Sequence, residues 1–84
     1  MITLKLLGGV KHAIGNNSII IDKSLSTLQD IIDEIQKKSN DKRLVNEKNL
    51  LISVNGVESS LIGGKDAIIK TGDIITVVTV VHGG

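Results

Sequence analysis

The sequence predicts an α+β domain, a roll in which one main helix packs on one face of a mixed sheet of four to five strands. Three observations carry that expectation. Apolar residues alternate with polar ones at 2–7 and 49–54, and 74–81 is a β-branched run; both are strand signals. One stretch, and only one, carries a long helical stripe, with Leu28, Ile31, Ile32 and Ile35 at i, i+3, i+4 and i+7. Between two apolar runs stands Asn55-Gly56, whose residues tolerate the positive φ of a type I′ hairpin turn. All 84 residues are expected to form one domain, with an extended tail at 82–84.

The elements follow in order. In ITLKLL (2–7), Ile2, Leu4 and Leu6 share one face, which predicts the first strand. Gly8-Gly9 and Gly15-Asn16-Asn17-Ser18 are turn material, and 18–22 is a short β-branched run, so the first two strands are expected as a hairpin with a long loop. From Ser24 the period becomes helical. Ser26 with Gln29 fits a capping box, and Asp33/Lys37 and Glu34/Lys38 are i,i+4 pairs on a solvated face. Residues 39–43 (SNDKR) read as an exposed polar loop that ends the helix. Leu50, Ile52 and Val54 form one face of the next strand, which turns at Asn55-Gly56 into a short partner. LIGGKDAIIKTGD adds two glycine-marked bends, and IITVVTVV (74–81) is too rich in Val, Ile and Thr for a helix and is expected as the last strand.

Composition excludes several function classes. A chain this short buries only roughly 60–65% of the surface exposed when unfolded, so each element must serve one core. There is no cysteine, hence neither disulfide nor thiolate chemistry, and two histidines cannot by themselves close a four-ligand zinc shell. Ten basic against nine acidic residues, with no aromatic residue, provide neither the field nor the stacking platforms of a nucleic-acid binder. No stretch resembles a signal peptide or reaches the ~20 apolar residues of a membrane span, so the expected location is cytoplasmic, with no membrane partner. Asn16-Asn17-Ser18 matches a glycosylation acceptor, but reads as a turn.

The internal motifs fail as catalytic sites. A phosphate loop ending at Gly64-Lys65 would need Gly at 59 and Ser or Thr at 66, where Ser59 and Asp66 stand. No nucleophilic triad can be built around His12 or His82, and no carboxylates are paired. What is left is the end, Val81-His82-Gly83-Gly84. Two glycines have no side chains, so only backbone need enter a narrow channel to bring an α-carboxylate to a reactive centre. A carboxylate is inert to acyl transfer until ATP makes it a mixed anhydride, so the expected role is substrate or carrier for a partner, not enzyme.

The element order, Asn55-Gly56 after the third strand, Thr71-Gly72-Asp73 before the last strand and the terminal Gly83-Gly84 together resemble the ubiquitin-like β-grasp sulfur carriers and protein modifiers. These include the small subunit of molybdopterin synthase, the thiamine-pathway sulfur carrier, the small archaeal modifiers and the ubiquitin-related modifier. The His-Gly-Gly ending after a β-branched strand is most similar to the last of these. The synthase subunit usually has aromatic and proline positions where this chain has Val77 to Val81. The resemblance implies that Gly84 is adenylated by an activating enzyme of the ubiquitin-activating type, which uses ATP, and becomes a thiocarboxylate. That group donates sulfur for tRNA thiolation or a related pathway, through sulfur donor and acceptor proteins, and in some members the same end is also joined to lysines of target proteins. No bound cofactor or metal is implied.

A second surface follows from the last strand. Both of its alternate residue sets are mostly apolar, and one helix covers one face. The family pattern puts Ile75 and Val77 inside and Ile74, Val78 and Val80 outside, as a docking surface beside His82 and Gly83. Two other readings remain: the sulfur-carrying small subunit of molybdopterin synthase, and a non-catalytic β-grasp interaction module whose glycine end is incidental.

Overall fold

The computed structural model describes residues 1–79. The last-strand positions Val80 and Val81 and the tail residues His82, Gly83 and Gly84 therefore lie outside the described residues.

The first strand, β1 (Ile2–Gly8), is followed by a short helix, α1 (Gly9–Ile14), and then by β2 (Ser18–Ile21). A three-residue strand, β3 (Leu25–Thr27), runs straight into the main helix, α2 (Leu28–Lys38). Two 3-10 turns, Lys42–Val45 and Glu47–Asn49, lead to the hairpin of β4 (Leu50–Val54) and β5 (Val57–Glu58). Two more, Ser59–Ile62 and Gly64–Asp66, precede β6 (Ile68–Lys70) and β7 (Ile74–Thr79). Five strands form one mixed sheet in the order β2-β1-β7-β4-β5, in which only β1 and β7 are parallel. The other two, β3 and β6, pair antiparallel as a separate ribbon.

The inward residues are those the periodicities select. Ile2, Leu4 and Leu6 of β1, Ile52 and Val54 of β4, and Ile75 and Val77 of β7 join Leu28, Ile31, Ile32 and Ile35 of α2 in one buried cluster. Asn55 and Gly56 have φ of 51° and 83°, the left-handed pair a type I′ turn requires, so this hairpin forms where the dipeptide places it.

Four local expectations are corrected. The loop expected between β1 and β2 contains α1, because Val10 and Ala13 lie three apart and bury together, and Gly15 caps the helix by donating its N–H to the Lys11 carbonyl. The helix N-cap is Thr27, not Ser26: its Oγ1 accepts the Asp30 N–H at 3.2 Å. Ser26 is held in β3, paired with Ile69, so the helix cannot begin earlier and no Ser26/Gln29 box forms. Neither Asp33/Lys37 nor Glu34/Lys38 closes to ion-pair distance; the Asp33 carboxylate accepts instead from the Gln29 amide. Finally, 39–43 is an organised turn. Ser39 is buried, its Oγ donating to the Asp41 carbonyl and accepting from the Asp41 N–H, while the Asp41 carboxylate takes both the backbone N–H and the guanidinium of Arg43.

Candidate docking surface beside the last strand

α2 covers one face of the sheet, so the outward residues of the five strands make a second face whose composition is read from the register. Val78 on β7 stands opposite Leu7 on β1 and Leu51 on β4. Leu7 and Leu51 are about half exposed, at 49% and 53%, and with partly buried Val78 they form an apolar row across the three central strands. Two residues back along the strands, Ser18, Lys5, Thr76, Ser53 and Glu58 form a polar row across all five. Two further back, Ile20, Thr3 and Ile74 form a third row, apolar at both ends. The face is therefore banded, apolar, polar, apolar.

Two of the residues expected on this surface are where the last-strand reading puts them. Ile74 is 42% exposed and Val78 partly so, both pointing away from α2, while Ile75 and Val77 are fully buried. Val80, His82, Gly83 and Gly84 lie outside the described residues. Leu7 and Leu51 were not anticipated. Their signal was in the sequence all the same, since each is a leucine at the solvent phase of an alternating strand, ITLKLL and NLLISV.

Both ends of β7 are fixed by specific contacts. At its start, Asn55 of the β4–β5 turn accepts the Ile74 N–H on its side-chain oxygen at 2.9 Å and donates its amide to the Asp73 carboxylate at 2.9 Å. Asp73 also accepts the Lys70 N–H at 2.8 Å. That backbone bond first, and the Asn55 amide second, hold the Asp73 carboxyl below the usual carboxylate range. The Thr71-Gly72 turn is fastened in addition to the first residue, with Gly72 N–H donating to the Met1 carbonyl and the Met1 amino group to Thr71 Oγ1.

At the other end, Thr79 is buried and its Oγ1 donates to the Leu44 carbonyl at 2.7 Å. Its backbone is flanked by Gly8, whose φ of +67° suits glycine, and a Cβ there would lie 3.3 Å from the Thr79 carbonyl oxygen. The chain is thus held tightly at the last described residue, next to the Leu7–Val78–Leu51 row.

The ion pairs lie away from this face. Lys65 meets Glu47, whose carboxyl is lowered first by Lys65 and then by Gln29; Arg43 meets Asp41 at 3.0 Å. His12 is exposed on α1 and lines a depression with Gly8, Lys11, Gly15, Asn16 and Asn17. Among the described residues there is no cluster of three or more side chains able to hold a metal, and no helix is long and apolar enough to cross a membrane.

A five-stranded mixed sheet with a parallel β1–β7 pair inside it and one main helix against it is the ubiquitin-like β-grasp, and solved structures share it over 99–100% of this chain. Urm1 from Trypanosoma brucei superposes with a TM-score of 0.79 at 21% identity, covering 99% of this chain and 94% of that one. Small archaeal modifier protein 1 from Methanosarcina acetivorans gives 0.77 at 20% identity, over 99% and 95%. A chain of the Amycolatopsis orientalis BexX/CysO complex gives 0.73 at 25% identity, over 100% of both. No curated protein matches the sequence. The ThiS family model matches residues 4–84, and the chain belongs to that family of β-grasp sulfur carriers and modifiers.

Proposed function

We propose that this protein is a sulfur carrier whose C-terminal Gly84 carboxylate is the reacting group. An activating enzyme of the ubiquitin-activating type docks on the banded face and takes His82-Gly83-Gly84 into its adenylation site. The carboxylate attacks the α-phosphorus of ATP, pyrophosphate leaves, and the acyl-adenylate forms. The terminal sulfur of a donor-protein persulfide then displaces AMP to give an acyl disulfide. A second protein thiol attacks the donor's sulfur in that bond, so that the thiocarboxylate leaves and a protein disulfide forms, and the thiocarboxylate is delivered to an acceptor, as in tRNA thiolation. The acyl group of the same adenylate can instead go to a lysine amine of a target protein, forming an isopeptide bond as AMP leaves. Gly84 bears the chemistry, Gly83 and His82 give a thin approach, and Ile74, Val78 and Val80 belong to the docking surface, to which Leu7 and Leu51 are added.

The observation that supports this most is the apolar row on the sheet's exposed face. It lies at the end of β7 that leads to the glycines, and family membership extends through residue 84. An exposed apolar patch of this kind fits a partner interface.

The test is pyrophosphate exchange with the cognate activating enzyme and ATP, beside a thermal melt of each variant. Gly83→Trp, or one residue added after Gly84, should leave the melt unchanged and abolish exchange. In the second case the carboxylate is displaced by about 3.5 Å, far outside productive geometry. Exchange at the unmodified rate in both variants would make the chain a β-grasp interaction module with an incidental glycine end. Intact mass of protein from its own cells should show oxygen-to-sulfur replacement at Gly84. Recovery in a stable complex with a large catalytic subunit would assign it to a molybdopterin synthase instead.

A further inference from the structure

The polar row between the two apolar rows holds one feature that the carrier reading leaves unused. Lys5 lies in the middle of the exposed face, on β1, flanked in register by Ser18 and Thr76 and beyond Thr76 by Ser53. None of these offers a charge. The ion pairs among the described residues are Arg43–Asp41 and Lys65–Glu47, and neither involves Lys5. Glu58 ends the same row three strands away, roughly 14 Å at the ~4.8 Å strand spacing. Its carboxylate already accepts the backbone N–H and hydroxyl of Ser60.

An ammonium between two apolar rows is neutral in effect while water covers it. It becomes decisive when a partner removes that water, because a charge buried without a counter-charge weakens the complex strongly. Leu7 is about 6.8 Å along the strand on one side and Thr3, with Ile74 beside it, an equal distance on the other. A partner covering both apolar rows therefore covers Lys5.

We infer that the protein docked on this face presents an aspartate or glutamate to Lys5, on a ridge lying between two apolar contacts about 13–14 Å apart. Lys5 sets which partner is accepted and the apolar rows supply most of the contact. A second copy of this chain fits less well, because the one carboxylate in its own stripe, Glu58, is committed to Ser60. The inference rests on the activating enzyme docking here, and it specifies that enzyme's chemistry at one point.

The experiment measures KM and kcat of the cognate activating enzyme for this carrier by pyrophosphate exchange, at low and at moderate salt, for the unmodified chain, Lys5→Glu, Lys5→Met and Lys23→Glu. Lys23 is exposed just beyond β2 and makes a control for net charge. Lys5→Glu should raise KM at least tenfold at low salt with kcat unchanged, and Lys23→Glu less than twofold. Lys5→Met, which keeps most of the stem without the charge, should raise KM several-fold and flatten its salt dependence. Thermal melts should coincide for all four; if Lys5→Glu melts early, Lys5→Met and its salt slope decide. Equal effects of Lys5→Glu and Lys23→Glu would overturn the inference, leaving only net charge. So would a sedimentation velocity run showing a dimer of the unmodified chain that Lys5→Glu dissociates, since the face would then be a self-interface. No exchange with the unmodified chain would overturn the carrier reading itself, and this inference with it.

Discussion

The two faces of the central sheet are made by alternate residues of the same strands, yet they differ in almost every property. On the covered face Ile2, Leu4, Leu6, Ile52, Val54, Ile75 and Val77 run without interruption and are all but fully buried against α2. On the open face apolar residues recur in two rows with a polar one between. Continuity suits a core, where any gap costs packing and any polar group needs a partner. Banding suits a surface that must stay soluble alone and become dry with a partner. Stability is thus concentrated on one side of the sheet, and the proposed function puts recognition on the other, so substitutions on the two sides should separate cleanly.

The largest effect is expected from the covered side. Ile32→Ala should cost about 2–5 kcal/mol, because Ile32 is only 3% exposed and belongs to the buried cluster. Reversible denaturant titration measures it, and a loss well under 1 kcal/mol would show that α2 seats on the sheet through other residues. Next comes the sheet's end. Gly8→Ala forces a Cβ onto a backbone at φ +67° and against the Thr79 carbonyl, and should cost about 1–3 kcal/mol although it removes no contact. The same titration on a Gly9→Ala variant, where crowding by Leu44 and Thr79 acts without the positive φ, separates strain from close approach.

A smaller, pH-dependent effect belongs to Asp73. Its folded pKa is lowered, so its contribution is fully present above the unfolded value near 4 and is lost as pH falls through the folded one. Asp73→Asn should therefore melt below the unmodified protein at pH 7, and the gap should narrow steadily as the pH is taken below about 4. A gap that stays constant would mean that the carboxylate's charge plays no part. The smallest stability change is expected on the open side, where Leu51→Lys or Val78→Lys should shift stability within about 0.5 kcal/mol. Either should nevertheless weaken docking to the activating enzyme; early melting of Val78→Lys would instead place that side chain with the core.

The covered face was legible in the sequence because it rests on local period. Leu28, Ile31, Ile32 and Ile35 declare themselves within eight residues, and Asn55-Gly56 within two. α1 was hidden because its apolar signal is Val10, Ala13 and Ile14, under two turns, between glycines that read as punctuation. β3 was hidden for a different reason: Leu25–Thr27 is a strand only by pairing with β6, some forty residues on, and that pairing displaces the helix N-cap from Ser26 to Thr27. The open face was half legible. Alternation separates Ile74 and Val78 from Ile75 and Val77 and the family pattern supplies their outward phase, but Leu7, Val78 and Leu51 converge only once the order β1-β7-β4 is known, and no local pattern encodes strand order.

The parallel pairing of β1 with β7 also has a consequence during synthesis. β1 leaves the ribosome long before β7 and waits for it before the centre of the sheet can close, and the Met1 contacts to the Thr71-Gly72 turn wait as well. Such long-range closure is slow relative to helix and hairpin formation. Until it happens Leu7, Val78 and Leu51 are not neighbours, Thr79 is not clamped, and no banded face exists. Newly made or damaged chains thus carry the same glycines as finished ones and lack the surface that goes with them, so a partner that reads the surface before the tail acts only on protein that has completed folding.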